Sequence, residues 1–386
     1  VTSPTAPPLD GIRVVDLTSY IAGSYSAMML ADLGAEVIKV ESLAGDSFRE
    51  LPGFFGWNRG KRSVTVDLKA PEGREIVERL AARADVVMEN MRPGVADRLG
   101  VGWEPLSRLN PRLVYCSVTA FGSTGPYAQR PGFDPLLQAM SGVMALQGFG
   151  GPPAYIRIAI TDYYAAALGA QAVLAALFVR ERTGRGQRVE TSLLHAALAL
   201  QSGNFVDYPG KQHVFRDNPT YRLYRAGDGQ WFFLACGNQT FWVKLCTALG
   251  MDDLAHDPRF ASWVLRLDNR EALLPILEAR FVTEPRDHWL DLLARHDIPA
   301  APVQSLMDFM DHPAVRHHDM VHEYQHPDVG PLRLMGQPLV LHATPARDPG
   351  PPPALGEHTE AVLRELGYDD AAIAGLEAGR IVSRRR

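Results

Sequence analysis

Between residues 12 and 121 short apolar runs alternate with segments of helical spacing, and this alternation constrains the fold more than any other feature. Residues 12–17 form an apolar run of strand length. Residues 24–33 carry helical spacing and stop at Gly34. Residues 36–41 and 63–68 read as strands, followed by a helix from Pro71 to Ala84 and further strands at 85–88 and 113–121. Proline in a first helical turn and glycine just past a helix end are ordinary boundary signals. Strands separated by helices imply crossover units and a parallel sheet, so an α/β fold is expected.

Residues 133–204 read as mostly helical. The longest helix is expected over 163–182, closed by Gly184, and another over 192–205 after a strand-like 187–190. At Tyr221 the pattern changes. Strand-like 221–225 and 230–236 flank Ala226-Gly227-Asp228-Gly229, which predicts a hairpin. Helices follow at about 239–249, 268–282 and 286–295. This gives a large domain over 1–221, a smaller α+β domain over 222–320, and a linker and C-terminal part over 321–386. The last part should hold a helix near 357–366 and end in a frayed Arg384-Arg385-Arg386. At 386 residues the chain is long for one compact domain, which agrees with two lobes.

Several function classes are disfavoured. A net charge of -5 leaves no overall basic footprint for nucleic acid, although an anionic ligand needs only a local patch. No apolar run approaches the roughly 18 residues of a membrane span. Residues 1–11 lack the basic and apolar regions of a secretory leader. Cys116, Cys236 and Cys246 are widely spaced, without C-x-x-C, so a reducing cytoplasm is expected rather than a disulfide framework. The first strand is followed by Thr18-Ser19-Tyr20-Ile21-Ala22-Gly23, not G-x-G-x-x-G, and there is no P-loop, which argues against NAD and ATP. Gly148-Phe149-Gly150-Gly151 runs into Pro152-Pro153 and reads as a loop. No G-x-S-x-G elbow is present. His312, His317, His318, His322 and His326 cluster. His318 and His322 could share a helix face near Asp319 and Glu323, but a solvated linker without metal is expected.

An ordered set of motifs then narrows the field. Pro8-Leu9-Asp10-Gly11-Ile12-Arg13-Val14-Val15-Asp16-Leu17 is followed by Ala31-Asp32-Leu33-Gly34-Ala35-Glu36-Val37-Ile38-Lys39-Val40-Glu41. Asn58-Arg59-Gly60-Lys61-Arg62-Ser63, Asp67-Leu68-Lys69 and Glu89-Asn90-Met91-Arg92-Pro93-Gly94 come next. Gly132-Phe133-Asp134 with Gln138, then Asp162, Thr183-Gly184-Arg185-Gly186-Gln187, Ile298-Pro299-Ala300-Ala301-Pro302-Val303 and Leu355-Gly356-Glu357-His358-Thr359 complete the series. Together these closely resemble the class III coenzyme A transferases, a group with formyl-CoA and carnitine CoA transferases and, as a relative, α-methylacyl-CoA racemase.

The resemblance implies a Rossmann-like large domain built from both chain ends, a smaller domain, and an interlocked homodimer. It implies acyl-CoA and a carboxylic acid as substrates, with no tightly bound cofactor and no metal. Asp162 would be the catalytic nucleophile. Read locally, Thr161-Asp162 also suits a helix N-cap, where the helix end would keep the carboxylate ionised. CoA would be held by Ala22, Lys69, Asn90, Met91, Arg98 and Asp134, with Lys39, Arg49, Arg62 or Arg92 as further cations. Gly237 and Asn238 align with the family's substrate loop. Arg157 stands where relatives have glycine. In a strand over 156–161 it would face away from Ile156, Ile158 and Ile160 and could meet the distal carboxylate of a dicarboxylic acid.

The alternative enzyme is an acyl-CoA racemase, which needs proton-transfer groups on both sides of the α-carbon. Phe133, at the position of the relative's histidine, cannot exchange a proton. A non-catalytic CoA-binding protein is a third class, disfavoured by the presence of Asp162.

Overall fold

The computed structural model describes residues 6–148, 151–210, 217–346 and 348–385. Phe149 and Gly150 of the glycine-rich stretch and the terminal Arg386 lie outside them. The chain divides into two compact units. The larger comprises Val1–Met144, Tyr155–Tyr208 and Arg316–Arg386, the smaller Ala145–Ala154 and Pro209–Val315.

The larger unit is built on six parallel strands: β1 (Arg13–Asp16), β2 (Glu36–Glu41), β3 (Lys61–Thr65), β4 (Val86–Glu89), β5 (Val114–Thr119) and β6 (Arg188–Ser192). Their order is β3-β2-β1-β4-β5-β6, with Val14 of β1 opposite Val37 of β2 on one side and Val86 of β4 on the other. Successive side chains face opposite sides of the sheet. Val14, Val37, Val86 and Val114 meet Ala27 and Leu30 of helix Ala22–Asp32 and Ala165, Ala170 and Val173 of helix Ile160–Thr183. Val15, Ile38, Val64 and Val87 meet Ile76, Val77 and Leu80 of helix Pro71–Ala82 and Val362 and Leu363 of helix Thr359–Glu365. Burial on both faces is why these strands read as continuous apolar runs. Gly34, at φ +100°, ends the first helix as expected.

The C-terminal part packs on the same sheet. The His358 N–H donates to Ser63 O at 2.9 Å, and the Thr65 hydroxyl donates to Ser383 O at 2.5 Å. Of the terminal arginines, Arg384 and Arg385 are not frayed: Arg384 pairs with Glu360 at 2.8 Å and with Glu377, and Arg385 with Asp328 at 2.7 Å. A helix at Asp370–Ala378, capped by Asp369, had no counterpart in the sequence reading.

The histidine cluster is neither a plain linker nor one helix face. His317 ends a short helix, Pro313–His317. His322 and His326 lie on a strand, Val321–His326, paired antiparallel with Gly330–Met335. His318 and His322 therefore share no helix face, and among the described residues no group of three or more His, Cys, Asp or Glu could hold a metal ion. Contrary to the expectation that no apolar run approaches a membrane span, the helix Ile160–Thr183 is long and apolar enough, by length and composition, to cross a membrane, but its Ala165, Gly169, Ala170, Val173 and Ala176 are buried within the unit.

In the smaller unit the expected hairpin is present as Tyr221–Arg225 with Trp231–Ala235, joined by a third strand, Ala300–Pro302. Helices Gln239–Leu249, Arg270–Phe281 and Arg286–Arg295 pack a core of Trp242, Trp289, Phe232 and Phe281 against it. All three cysteines of the chain are buried.

Candidate active site

Strand order reverses between β1 and β4. The connections leaving them diverge, and a crevice opens at their C-terminal ends. A cavity of about 530 Å³ lies there, lined by residues 19–22 after β1, 90–93 after β4 and 118–120 at the end of β5. Asn90 ties two of these loops together. Its Oδ1 accepts from Ser19 N–H at 2.9 Å and its Nδ2 donates to Ser19 O at 2.6 Å. The helix starting at Ala22 approaches so closely that a Cβ on Gly23 would lie 2.5 Å from Thr18 Cβ and 3.1 Å from Asn90 Cγ. Glycine is thus required here even though the dinucleotide fingerprint is absent. Tyr20 holds φ +62°, a conformation costly for a residue with a side chain. Its ring meets Phe48 at 4.9 Å and Phe133 at 5.9 Å, both edge-on, which makes an aromatic wall. Tyr20 and Phe48 carry no sequence signal beyond being aromatic.

Asp162 lines the same cavity. It is not the N-cap. Helix Ile160–Thr183 begins two residues before it, and Ala159 at the cap position offers no side-chain bond. The orphan first-turn N–H of Thr161 is met instead by Asp134 Oδ1 at 2.8 Å, which also accepts the Thr161 hydroxyl at 2.7 Å. The other oxygen of Asp134 accepts from Gln138 Nε2 at 2.7 Å. Burial first, and then the neighbouring Asp134 carboxylate, push Asp162 up to about 7. The helix end alone therefore does not keep it ionised. Desolvation and a like charge outweigh the helix dipole.

Residues 156–161 are not a strand, because side-chain bonds take up their backbone groups. Gln138 Nε2 donates to Ile156 O at 3.0 Å and to Ile158 O at 3.4 Å, and its Oε1 accepts from Ile156 N–H at 3.2 Å. Ile158 is 65% exposed, so the isoleucines do not fill a core. Arg157 nevertheless lines the cavity with Asp162.

Ala22, Asn90, Met91, Asp134, Arg157 and Asp162 thus come together at one cavity. Lys69 is exposed at an adjacent cavity of about 580 Å³, which shares Ser19 and Met91 with the first and is bordered by residues 42–47 after β2. Arg98 is exposed on the short helix Val95–Arg98 and lines neither cavity. Gly237 and Asn238 belong to the smaller unit, where Asn238 caps helix Gln239–Leu249 by accepting from Phe241 N–H at 2.9 Å.

Three of the four supplementary cations are already engaged. Lys39 is buried against Asp46 at 3.1 Å, Arg49 pairs with Glu41 at 2.6 Å, and Arg62 bridges Glu36 and Glu365. Only Arg92 of the four lines the first cavity. The Asn58–Lys61 motif is structural too. Lys61 Nζ, fully buried, donates to Asp16 Oδ2 at 2.7 Å, Ser24 O at 2.8 Å and Asn58 Oδ1 at 2.9 Å, and burial pushes its ammonium down to about 8. Arg59 is buried against Asp32 at 2.5 Å.

The chain is similar to known proteins. The model of CoA-transferase family III matches residues 9–359. Succinyl-CoA:glutarate CoA-transferase of Mus musculus is 36% identical over 97% of this chain and 90% of its own length. Succinyl-CoA--D-citramalate CoA-transferase of Chloroflexus aurantiacus is 34% identical over 97% of this chain and 98% of its own. A crystal structure of a CAIB/BAIF family protein from Brucella suis superposes with a TM-score of 0.84 at 37% identity, covering 94% of this chain and 100% of the other. With its six-stranded parallel sheet and matched motifs, the chain belongs to CoA-transferase family III.

Proposed function

We propose that this protein moves CoA from an acyl-CoA thioester to a free carboxylic acid, with Asp162 as nucleophile. The observation that carries the reading is the placement of Asp162 in the switch-point cavity beside the Asn90 clamp. The names of relatives, succinyl-CoA:glutarate and succinyl-CoA–citramalate CoA-transferase, support the reaction class.

The ionised Asp162 carboxylate attacks the thioester carbonyl. A C–O bond forms, the C–S bond breaks, and CoA leaves as the thiolate, giving a mixed anhydride that keeps the acyl group activated. The thiolate then attacks the aspartyl carbonyl, which forms an aspartyl-CoA thioester and releases the donor's free acid. The acceptor carboxylate attacks that thioester and expels the thiolate again. Thiolate attack on the acceptor's carbonyl then yields the new acyl-CoA and restores Asp162. Each step exchanges one acyl bond for another, and no net proton or electron is transferred. CoA itself enters as substrate.

In this reading Ala22, Asn90, Met91 and Asp134 border the CoA thioester, and Lys69 and Arg98 meet its phosphates through charge-assisted bonds. Gly237 and Asn238 are the substrate loop. The protein works as an interlocked cytoplasmic homodimer. A racemase is not favoured, since Phe133, which lines the cavity, has no exchangeable proton. Asp162→Asn tests the assignment. Transfer between an acyl-CoA and a free acid, followed by mass spectrometry, should fall by several orders of magnitude while CoA binding persists. Full activity in the variant would remove Asp162 from the chemistry.

A further inference from the structure

The cavity at Asp162 carries more positive charge than its own carboxylates answer. Three guanidinium groups line it: Arg92, Arg130 and Arg157. Arg130 lies over the Tyr127 ring at 4.0 Å. Of the two carboxylates, Asp134 is engaged by Thr161 and Gln138, and no ion pair joins Asp162 to any arginine among the described residues. Arg157 likewise has no ion pair or side-chain hydrogen bond there.

The backbone around Arg157 is held in place. Gln138 binds the residues on either side of it, Ile156 and Ile158. One helical turn earlier, Asp134 holds Thr161, the residue before Asp162. Arg157 and Asp162 are therefore fixed to the same short helix, Asp134–Met140, with both side chains lining one cavity and not paired with each other. A guanidinium on a fixed backbone offers a planar donor fork that matches a carboxylate in two parallel hydrogen bonds.

We propose that Arg157 binds the distal carboxylate of a short dicarboxylic acyl group while Asp162 reacts at the other end, which makes Arg157 the residue that selects dicarboxylic over monocarboxylic substrates. This rests on the reading of the cavity as the acyl-CoA site. A monocarboxylic chain of equal length would set a methyl group against the guanidinium and leave its donors without an acceptor. Sites built for a polar group reject analogues lacking it far more strongly than apolar pockets reject an extra group.

The test separates binding from turnover. Asp162→Asn protein is titrated calorimetrically with succinyl-CoA and with butyryl-CoA, which differ in the terminal carboxylate. Succinyl-CoA should bind at least tenfold more tightly. Adding Arg157→Ala should abolish the preference by weakening succinyl-CoA alone, and Arg157→Lys should restore part of it. Equal affinities in the parent, or a preference that survives Arg157→Ala, would overturn the proposal. Because no turnover is read, failure of wild-type protein to transfer CoA would sink the nucleophile assignment while this result still decides the role of Arg157.

Discussion

Asp134 Oδ1 accepts both the amide N–H and the hydroxyl of Thr161, at 2.8 and 2.7 Å, and so starts the helix that carries Asp162. A cap is normally supplied by the residue just before the helix. Here it comes from 27 positions earlier and brings a second negative charge next to the candidate nucleophile. Burial first, and then the same carboxylate that positions Asp162, raise its proton affinity.

That coupling sets a pH profile. As the proposed nucleophile Asp162 must be ionised to attack, and its pKa is pushed up to about 7. The kcat/KM for CoA transfer should rise about tenfold per pH unit on the acid side and level off above about 7. Asp134→Asn removes the neighbouring charge while keeping an acceptor for Thr161, and should move the acid limb to lower pH. A profile flat from pH 5 upward would contradict the raised value.

Stability should run the other way. A carboxyl whose folded pKa lies above its unfolded value of 3.8 favours the fold while protonated, and that contribution is lost as pH rises through about 7. Asp162→Asn cannot ionise. It should unfold at a higher temperature than wild type above neutrality, with the gap closing on acidification. Calorimetric scans across this range check the sign.

The Asn90–Ser19 pair joins the two loops at the switch point. Asn90→Ala removes both bonds, each worth about 0.5–1.5 kcal/mol. The KM for the CoA ester should rise several-fold, with a smaller loss in kcat. Gly23→Ala should act similarly by pushing the helix away from Thr18, at about 1–3 kcal/mol. Steady-state kinetics with chemical denaturation separate the two effects. An unchanged KM in both variants would remove this clamp from the site.

Lys61 belongs to the fold, not to the ligand. Lys61→Ala leaves Asp16 buried without its partner, which costs about 3–5 kcal/mol. The variant should be markedly destabilised or recovered unfolded. Normal stability accompanied by lost CoA binding would reverse this assignment.

Much of the larger unit is legible in sequence because both faces of its sheet are buried. β2 occupies the expected 36–41, and in the smaller unit the helices Gln239–Leu249 and Arg286–Arg295 also have the expected bounds. β3 begins earlier than its apolar run, because the polar Lys61 enters a buried charge network instead of solvent. The apparent strand before Asp162 fails for a comparable reason: alternating isoleucines suggest a pleat, but Gln138, 18 positions away from Ile156, takes the backbone groups that a neighbouring strand would need. The positive φ of Tyr20 and the engagement of Lys39, Arg49 and Arg62 also arise from contacts between distant segments, which local pattern does not carry. The three-residue strand Ala300–Pro302 is too short to leave a periodic signal.

The most direct measurement is chemical trapping of the acyl-enzyme. Wild-type protein is incubated with an acyl-CoA, treated with hydroxylamine, digested and sequenced by mass spectrometry. An activated aspartyl group is converted to a hydroxamate, and the modification should map to Asp162, require the acyl-CoA, and vanish in Asp162→Asn. Efficient CoA transfer with no modified aspartate, or with the hydroxamate on another residue, would contradict Asp162 as the nucleophile.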